Sequence, residues 1–88
     1  MKASSNYMVL LEVYISVCET DGGANSNRPC IFPFIYQGKR YNTCTLKDAE
    51  YTNNKAWCST QVNKFGQHLS GRRKWGNCGQ GCPGVVGE

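Results

Sequence analysis

The chain has 88 residues, a formal net charge of +4 and six cysteines. A chain of this length forms one domain and buries only about 60–65% of its unfolded surface, which leaves it marginally stable without covalent cross-links. The even number of cysteines indicates a disulfide framework formed in an oxidising compartment, so we expect a secreted or extracellular protein. The chain has no groove-reading motif, and we expect no nucleic-acid partner.

The cysteine spacing favours disulfides over a metal site. No Cys-x-x-Cys pair is present, and the single histidine, His68, is far in sequence from any plausible set of four ligands. We therefore expect no bound metal and no other cofactor. Six cysteines allow fifteen connectivities, and their spacing alone does not select one of them.

The first predicted element is a β-strand at residues 8–17. Apolar side chains alternate there at period two: Val9, Leu11, Val13, Ile15 and Val17. The segment is too short to span a membrane, and Glu12 and the lack of a small-residue cleavage site argue against a signal-peptide core. A leader remnant and a disordered arm remain as alternatives. Because a lone strand is unstable in water, we expect residues 8–17 to dock against another domain or another chain.

Short extended segments separated by turns follow this strand. Residues 31–36 and the segment at Tyr41 are apolar and aromatic, and Gly38 lies between them, which predicts a β-hairpin. Residues 56–60 predict a second short strand, and residues 63–74 predict a long loop. No stretch predicts a helix longer than one turn.

These patterns divide the chain into three parts. An N-terminal strand or arm occupies residues 1–17, a cysteine-rich module occupies residues 18–82, and a C-terminal tail occupies residues 83–88. The first and last cysteines mark the ends of the module. The chain contains no internal repeat and no low-complexity tract.

One run of basic residues stands out in the long loop, namely Arg72-Arg73-Lys74. Such a run is usually part of a solvated loop. It also predicts a contact for a sulfated glycan or another anionic surface, because clustered cations attract polyanions.

Four short motifs between residues 30 and 78 each place a cysteine close to an aromatic ring. They read Cys-x-x-Pro-Phe-x-Tyr from Cys30, Tyr-x-x-Cys-Thr from Tyr41, Trp-Cys-x-Thr from Trp57 and Lys-Trp-Gly-x-Cys from Lys74. In this order the motifs closely resemble a fibronectin type II module, and four ordered motifs are a specific signal. The chain departs from the family pattern at Asn77, where the family has an aromatic residue, and in its two longer inter-cysteine loops.

The resemblance implies a small disulfide-rich all-β fold. Two short antiparallel sheets, roughly perpendicular, are expected with little or no helix, and the predicted N-terminal strand would add to them. The family pairing implies the bridges Cys30–Cys58 and Cys44–Cys78. If the chain is complete in itself, the remaining two cysteines, Cys18 and Cys82, pair with each other. This six-cysteine form is similar to modules that precede the catalytic domain in some invertebrate trypsin-like proteases.

The resemblance also implies a non-catalytic binding function. Family members bind collagen, gelatin or phosphocholine headgroups on an aromatic surface, and aromatic faces suit both prolyl rings and quaternary ammonium groups. An extracellular matrix protein or a lipid headgroup is therefore the expected ligand. The residues that match this surface are Tyr36, Tyr41, Trp57, Phe65 and Trp75. One histidine in a polar loop does not indicate a catalytic triad, so we expect no enzyme activity.

A second function class remains open from the sequence. The chain could be a structural or regulatory accessory part of a larger secreted protein, such as the non-catalytic chain of a trypsin-like serine protease. The strand pattern at residues 8–17 favours this, because it predicts a docking partner. Residues 85–87 read Val-Val-Gly, similar to the new amino terminus of such enzymes, but no basic residue precedes Val85 and the signal is weak.

Overall fold

A computed structural model describes residues 18–84 of the chain. The elements, in order, are β1 (Phe34–Tyr36), β2 (Lys39–Tyr41), one 3-10 turn (Ala49–Tyr51), β3 (Trp57–Ser59) and β4 (Trp75–Asn77). They form two two-stranded antiparallel sheets, which confirms the prediction of a small disulfide-rich all-β fold. No helix in the described range has the length and apolar character needed to cross a membrane. The strand predicted at residues 8–17 and the Val-Val-Gly segment at 85–87 lie outside the described residues.

The first sheet is the predicted hairpin of β1 and β2. Phe34 pairs with Tyr41 and Tyr36 with Lys39. The turn between the strands consists of Gln37 and Gly38, both at positive φ (52° and 80°). Two consecutive residues at positive φ give a tight turn whose twist matches that of the flanking strands. The turn therefore has two residues, and Lys39 begins β2.

The second sheet pairs β3 with β4, with Cys58 opposite Gly76. A side chain at Gly76 would have no room, because a Cβ there would lie 2.5 Å from the backbone oxygen of Asn25 and 2.5 Å from Thr20 Cγ2. The loop at residues 20–28 thus packs directly onto the backbone of β4. This close approach explains why a glycine occupies the middle of the strand.

Three disulfides form the covalent part of the core. The structure joins Cys30 to Cys58 and Cys44 to Cys78, the two bridges that the resemblance implied, and it joins the remaining pair, Cys18 and Cys82. Five of the six sulfur atoms lie within 4.8 Å of one another. The outer bridge spans 64 residues of sequence. The two inner bridges shorten the path along the chain between Cys18 and Cys82. By the chain-entropy model, the outer bridge therefore stabilises the fold by about 3–4 kcal/mol.

Aromatic rings form the rest of the core around Phe34, which is fully buried. Its ring centroid lies 5.3 Å from that of Tyr41 and 5.3 Å from that of Trp57. Large rings bury much apolar area per residue, which suits a domain with strands of only three residues. The core therefore combines rings and bridges instead of aliphatic layers.

The position at which the family has an aromatic residue holds a buried polar side chain in this chain. Asn77 is 3% exposed, and its Nδ2 donates to the backbone oxygen of Thr52 at 2.8 Å. Its Oδ1 accepts a hydrogen bond from Asn53 Nδ2 at 2.9 Å. Asn77 thus fastens the longer loop between Cys44 and Cys58 to β4. Asn77 and this loop, two of the three departures from the family pattern, therefore form one structural unit.

Candidate functional site: an aromatic pocket

Residues from both sheets and from the longer loop meet around a pocket of about 240 Å³. Its lining is dominated by rings, with one carboxylate: Tyr36, Asp48, Tyr51, Thr52, Trp57, His68 and Trp75. The aromatic pocket, as we call this set, brings together three of the five residues that the sequence analysis assigned to the ligand surface. Those three are Tyr36, Trp57 and Trp75.

Trp57 forms the fixed base of the aromatic pocket. Its indole Nε1 donates to the backbone oxygen of Lys47 at 2.7 Å, and its backbone N–H donates to the oxygen of Thr45 at 2.9 Å. The ring of Tyr36 meets it edge to face, with centroids 5.0 Å apart and planes at 86°. Trp57 is only 3% exposed, so it supports the pocket more than it offers area to a ligand.

Tyr36 and Asp48 form a hydrogen-bonded pair in the pocket wall. The phenol of Tyr36 donates to Asp48 Oδ2 at 2.7 Å. This hydrogen bond, aided by burial and by the negative charge of the carboxylate, raises the pKa of Tyr36 to about 12. Tyr36 therefore stays neutral over the physiological range, and Asp48 contributes a negative charge to the lining.

His68 is brought to the pocket by the long loop after β3. Its backbone N–H donates to the oxygen of Ile35 in β1 at 2.8 Å. Its ring centroid then lies 5.3 Å from that of Trp57 and 5.7 Å from that of Tyr36. Burial lowers the pKa of His68 below its usual 6.5, because the charged imidazolium loses hydration there.

The partner of the His68 ring is Ser59, and the pair is structural. Nδ1 lies 2.7 Å from Ser59 Oγ, and the Ser59 hydroxyl donates to the backbone oxygen of Gln61 at 2.9 Å. Ser59 is fully buried, so its hydroxyl is not accessible to a substrate as a nucleophile.

Trp75 and Tyr51 form the outer part of the pocket. Trp75 is half-buried, and its ring depends on Gly23: a Cβ on that residue would lie 2.7 Å from Trp75 Cζ3. Tyr51 ends the 3-10 turn in the longer loop and is 77% exposed. An exposed ring at the rim of a pocket offers area that a ligand can cover.

The other two predicted ligand residues lie elsewhere. Tyr41 stacks on Phe34 and lines a separate groove with Lys39 and Arg40. Phe65 is 68% exposed and does not line the aromatic pocket. Three lining residues, Asp48, Tyr51 and His68, are not among those that the sequence motifs predict for the site. Tyr51 could have been predicted for the site, because it is an aromatic residue in a longer loop that is otherwise polar. No local sequence pattern predicts His68.

The fold is that of a small disulfide-linked all-β module with an aromatic pocket. Residues 30–78, more than half of the chain, match the fibronectin type II domain, and the chain belongs to this family.

Relatives carry the same segment within much longer chains. The chain is 39% identical over 57 residues to matrix metalloproteinase-9 of Canis lupus familiaris and 37% over 59 residues to the 72 kDa type IV collagenase of Gallus gallus. It is 38% identical over 60 residues to the cation-independent mannose-6-phosphate receptor of Homo sapiens. The matched segments cover 65%, 67% and 68% of this chain but only 7%, 8% and 2% of those relatives. No solved structure matches the chain.

The contact between Gly23 and Trp75 leads to a prediction about stability. Gly23→Ala should lower the free energy of unfolding, because it adds a steric conflict of about 1–3 kcal/mol to a backbone strain of about 1–2 kcal/mol at φ +82°. Gly81→Ala is the matched control, since Gly81 has a φ of +90° and open space around it. Urea denaturation with the disulfides intact measures both. An equal decrease in the free energy of unfolding in both variants would contradict a steric conflict between residue 23 and Trp75.

The burial of His68 leads to a prediction about pH. Its pKa is lower in the folded than in the unfolded chain, so the unfolded chain binds more protons as the pH falls below about 6.5. The free energy of unfolding should therefore decrease on acidification, and it should decrease less in His68→Gln. Denaturation curves at about pH 7.5 and about pH 5.5 for both proteins test this. The same pH dependence in both would contradict it.

Proposed function

We propose that the aromatic pocket binds an extracellular matrix polypeptide of the collagen or gelatin type, and that the chain acts outside the cell. The observation that carries this proposal is the convergence of four aromatic residues on one pocket: Tyr36, Tyr51, Trp57 and Trp75. Aromatic faces pack well against prolyl rings and apolar side chains. Two relatives support the choice of ligand, because one is named a matrix metalloproteinase and the other a type IV collagenase.

The names of the relatives rank the candidate ligands. A phosphocholine headgroup would bring a quaternary ammonium that both the rings and the Asp48 carboxylate attract, and a phosphate that the carboxylate repels, so the charge of the pocket does not exclude it. Gelatin ranks first because two relatives are named a matrix metalloproteinase and a type IV collagenase, and phosphocholine ranks second.

Retention on gelatin-agarose tests the proposal. The oxidised chain should be retained, and Tyr51→Ala should weaken binding about tenfold, the size typical of the loss of one aromatic residue that a ligand covers. Tyr51 is 77% exposed, so its removal should leave the fold intact. Near-ultraviolet circular dichroism of the variant checks this point.

Phe65→Ala is the matched control, because Phe65 is an aromatic residue of similar exposure (68%) outside the pocket. It should bind gelatin like the unaltered chain. Equal losses in Tyr51→Ala and Phe65→Ala would contradict the pocket as the binding site. Retention on phosphocholine beads but not on gelatin would show that the ligand is a lipid headgroup and not a matrix polypeptide.

A second candidate function is an accessory part of a larger secreted protein, such as the non-catalytic chain of a trypsin-like protease. This candidate is supported by the relatives, which carry the matched segment as a small part of a longer chain. The segment makes up 7%, 8% and 2% of their lengths. The period-two pattern at residues 8–17 adds the prediction of a docking strand.

Removal of residues 1–17 tests this second candidate. The full chain should capture a partner from the extracellular fluid into which it is secreted. The shortened chain should not capture this partner, because the proposed docking strand is absent. Gelatin retention should be unchanged, since the aromatic pocket lies within residues 18–84. Capture of the same partners by both chains would exclude residues 8–17 as the docking element.

A further inference from the structure

A second concave surface differs from the aromatic pocket in its charge. It is a groove of about 430 Å³ that includes three basic residues and three uncharged polar residues: Arg28, Arg73, Lys74, Asn25, Thr60 and Gln61. We call it the basic groove. No acidic residue lines it, and it shares no residue with the aromatic pocket.

The position of Arg28 in this groove is set by the loop at residues 20–28. The backbone N–H of Arg28 donates to Thr20 Oγ1 at 2.9 Å, and the backbone N–H of Thr20 donates to the oxygen of Arg28 at 2.8 Å. Thr20 is 2% exposed, so these hydrogen bonds are shielded from water. Arg28 is therefore held in place at its backbone while its side chain stays exposed.

Lys74 is attached to the same framework through Thr60, and Arg73 precedes it in the chain. The backbone N–H of Thr60 donates to the oxygen of Lys74 at 2.9 Å, and its Oγ1 accepts a hydrogen bond from Asn25 Nδ2 at 3.0 Å. Lys74 Nζ donates to Gln61 Oε1 at 2.7 Å, so the ammonium group lies beside another residue of the groove. Three chain segments distant in sequence thus form one preorganised basic surface.

We propose that the basic groove binds a sulfated glycosaminoglycan. Arginine side chains present paired N–H donors that fit the oxygens of a sulfate group, and lysine adds a point charge. The amide and hydroxyl groups among the cations suit the hydroxyl groups of a sugar. A groove with this mixture fits a linear sulfated glycan better than a flat lipid surface.

The structure changes the set of residues that the sequence suggested for this ligand. The run Arg72-Arg73-Lys74 predicted the contact, but Arg72 does not line the groove. Arg28, which lies in a different loop, joins Arg73 and Lys74 instead. The proposal is independent of the function proposed for the aromatic pocket, because the two surfaces have no residue in common.

Binding of the oxidised 88-residue chain to immobilised heparin tests the proposal. The chain should bind at about 0.1 M NaCl and bind more weakly at about 0.5 M, because salt screens the exposed charges. The double variant Arg28→Gln/Arg73→Gln should lose about tenfold or more in affinity, the size expected for the loss of charge-assisted hydrogen bonds.

The matched control is Lys55→Gln/Lys64→Gln, which removes the same charge from exposed residues outside the groove. It should lose less than about threefold, as expected for screened long-range attraction. The single variant Arg72→Gln should behave like this control. Near-ultraviolet circular dichroism should show an unchanged fold in every variant.

Several results would overturn the proposal. Equal losses in the groove variant and the control would show attraction by net charge alone. Equal affinity for hyaluronan, a carboxylated glycan without sulfate, would remove the requirement for sulfate. Retention by phosphatidylserine vesicles without retention by heparin would assign the groove to a lipid surface. Gelatin retention by the groove variant should stay unchanged, so this test and that of the aromatic pocket fail separately.

Discussion

The packing of three disulfides against one another is the constraint on which the rest of the structure depends. Each strand has three residues, and an isolated two-stranded sheet of this size is not stable in water. The bridges compensate: Cys58 within β3 is tied to Cys30, which precedes β1, and Cys78 immediately after β4 is tied to Cys44. The chain ends of both sheets are thereby fixed, and the rings around Phe34 fill the space between them.

The aromatic pocket forms because the core is too small to bury all of its aromatic rings. Rings that a larger domain would cover stay partly exposed, and the longer loop between Cys44 and Cys58 adds Asp48 and Tyr51 to them. That loop holds its shape because Asn77 binds its backbone from β4. Asn77, which stands where the family has an aromatic residue, therefore supports the loop that forms the changed rim of the pocket.

The two concave surfaces carry charges of opposite sign, although the chain has a net charge of only +4. The aromatic pocket has one carboxylate, whereas the basic groove has three cations and no acidic residue. Because the two linings share no residue, the two proposed ligands, a polypeptide and an anionic glycan, would not compete for the same side chains. Both are components of an extracellular matrix, which is the setting proposed for this chain.

The sequence by itself determined the family and much of the fold, because four ordered motifs identify the module and the turn at Gly38 predicts the hairpin. It also predicted Tyr36, Trp57 and Trp75 as ligand residues from their positions in those motifs, and these three line one pocket in the structure. Only the tertiary structure decided that the loop after β3 brings His68 to the rings and that Arg28 lies near Arg73. These contacts depend on hydrogen bonds between loops distant in sequence, which no local pattern encodes.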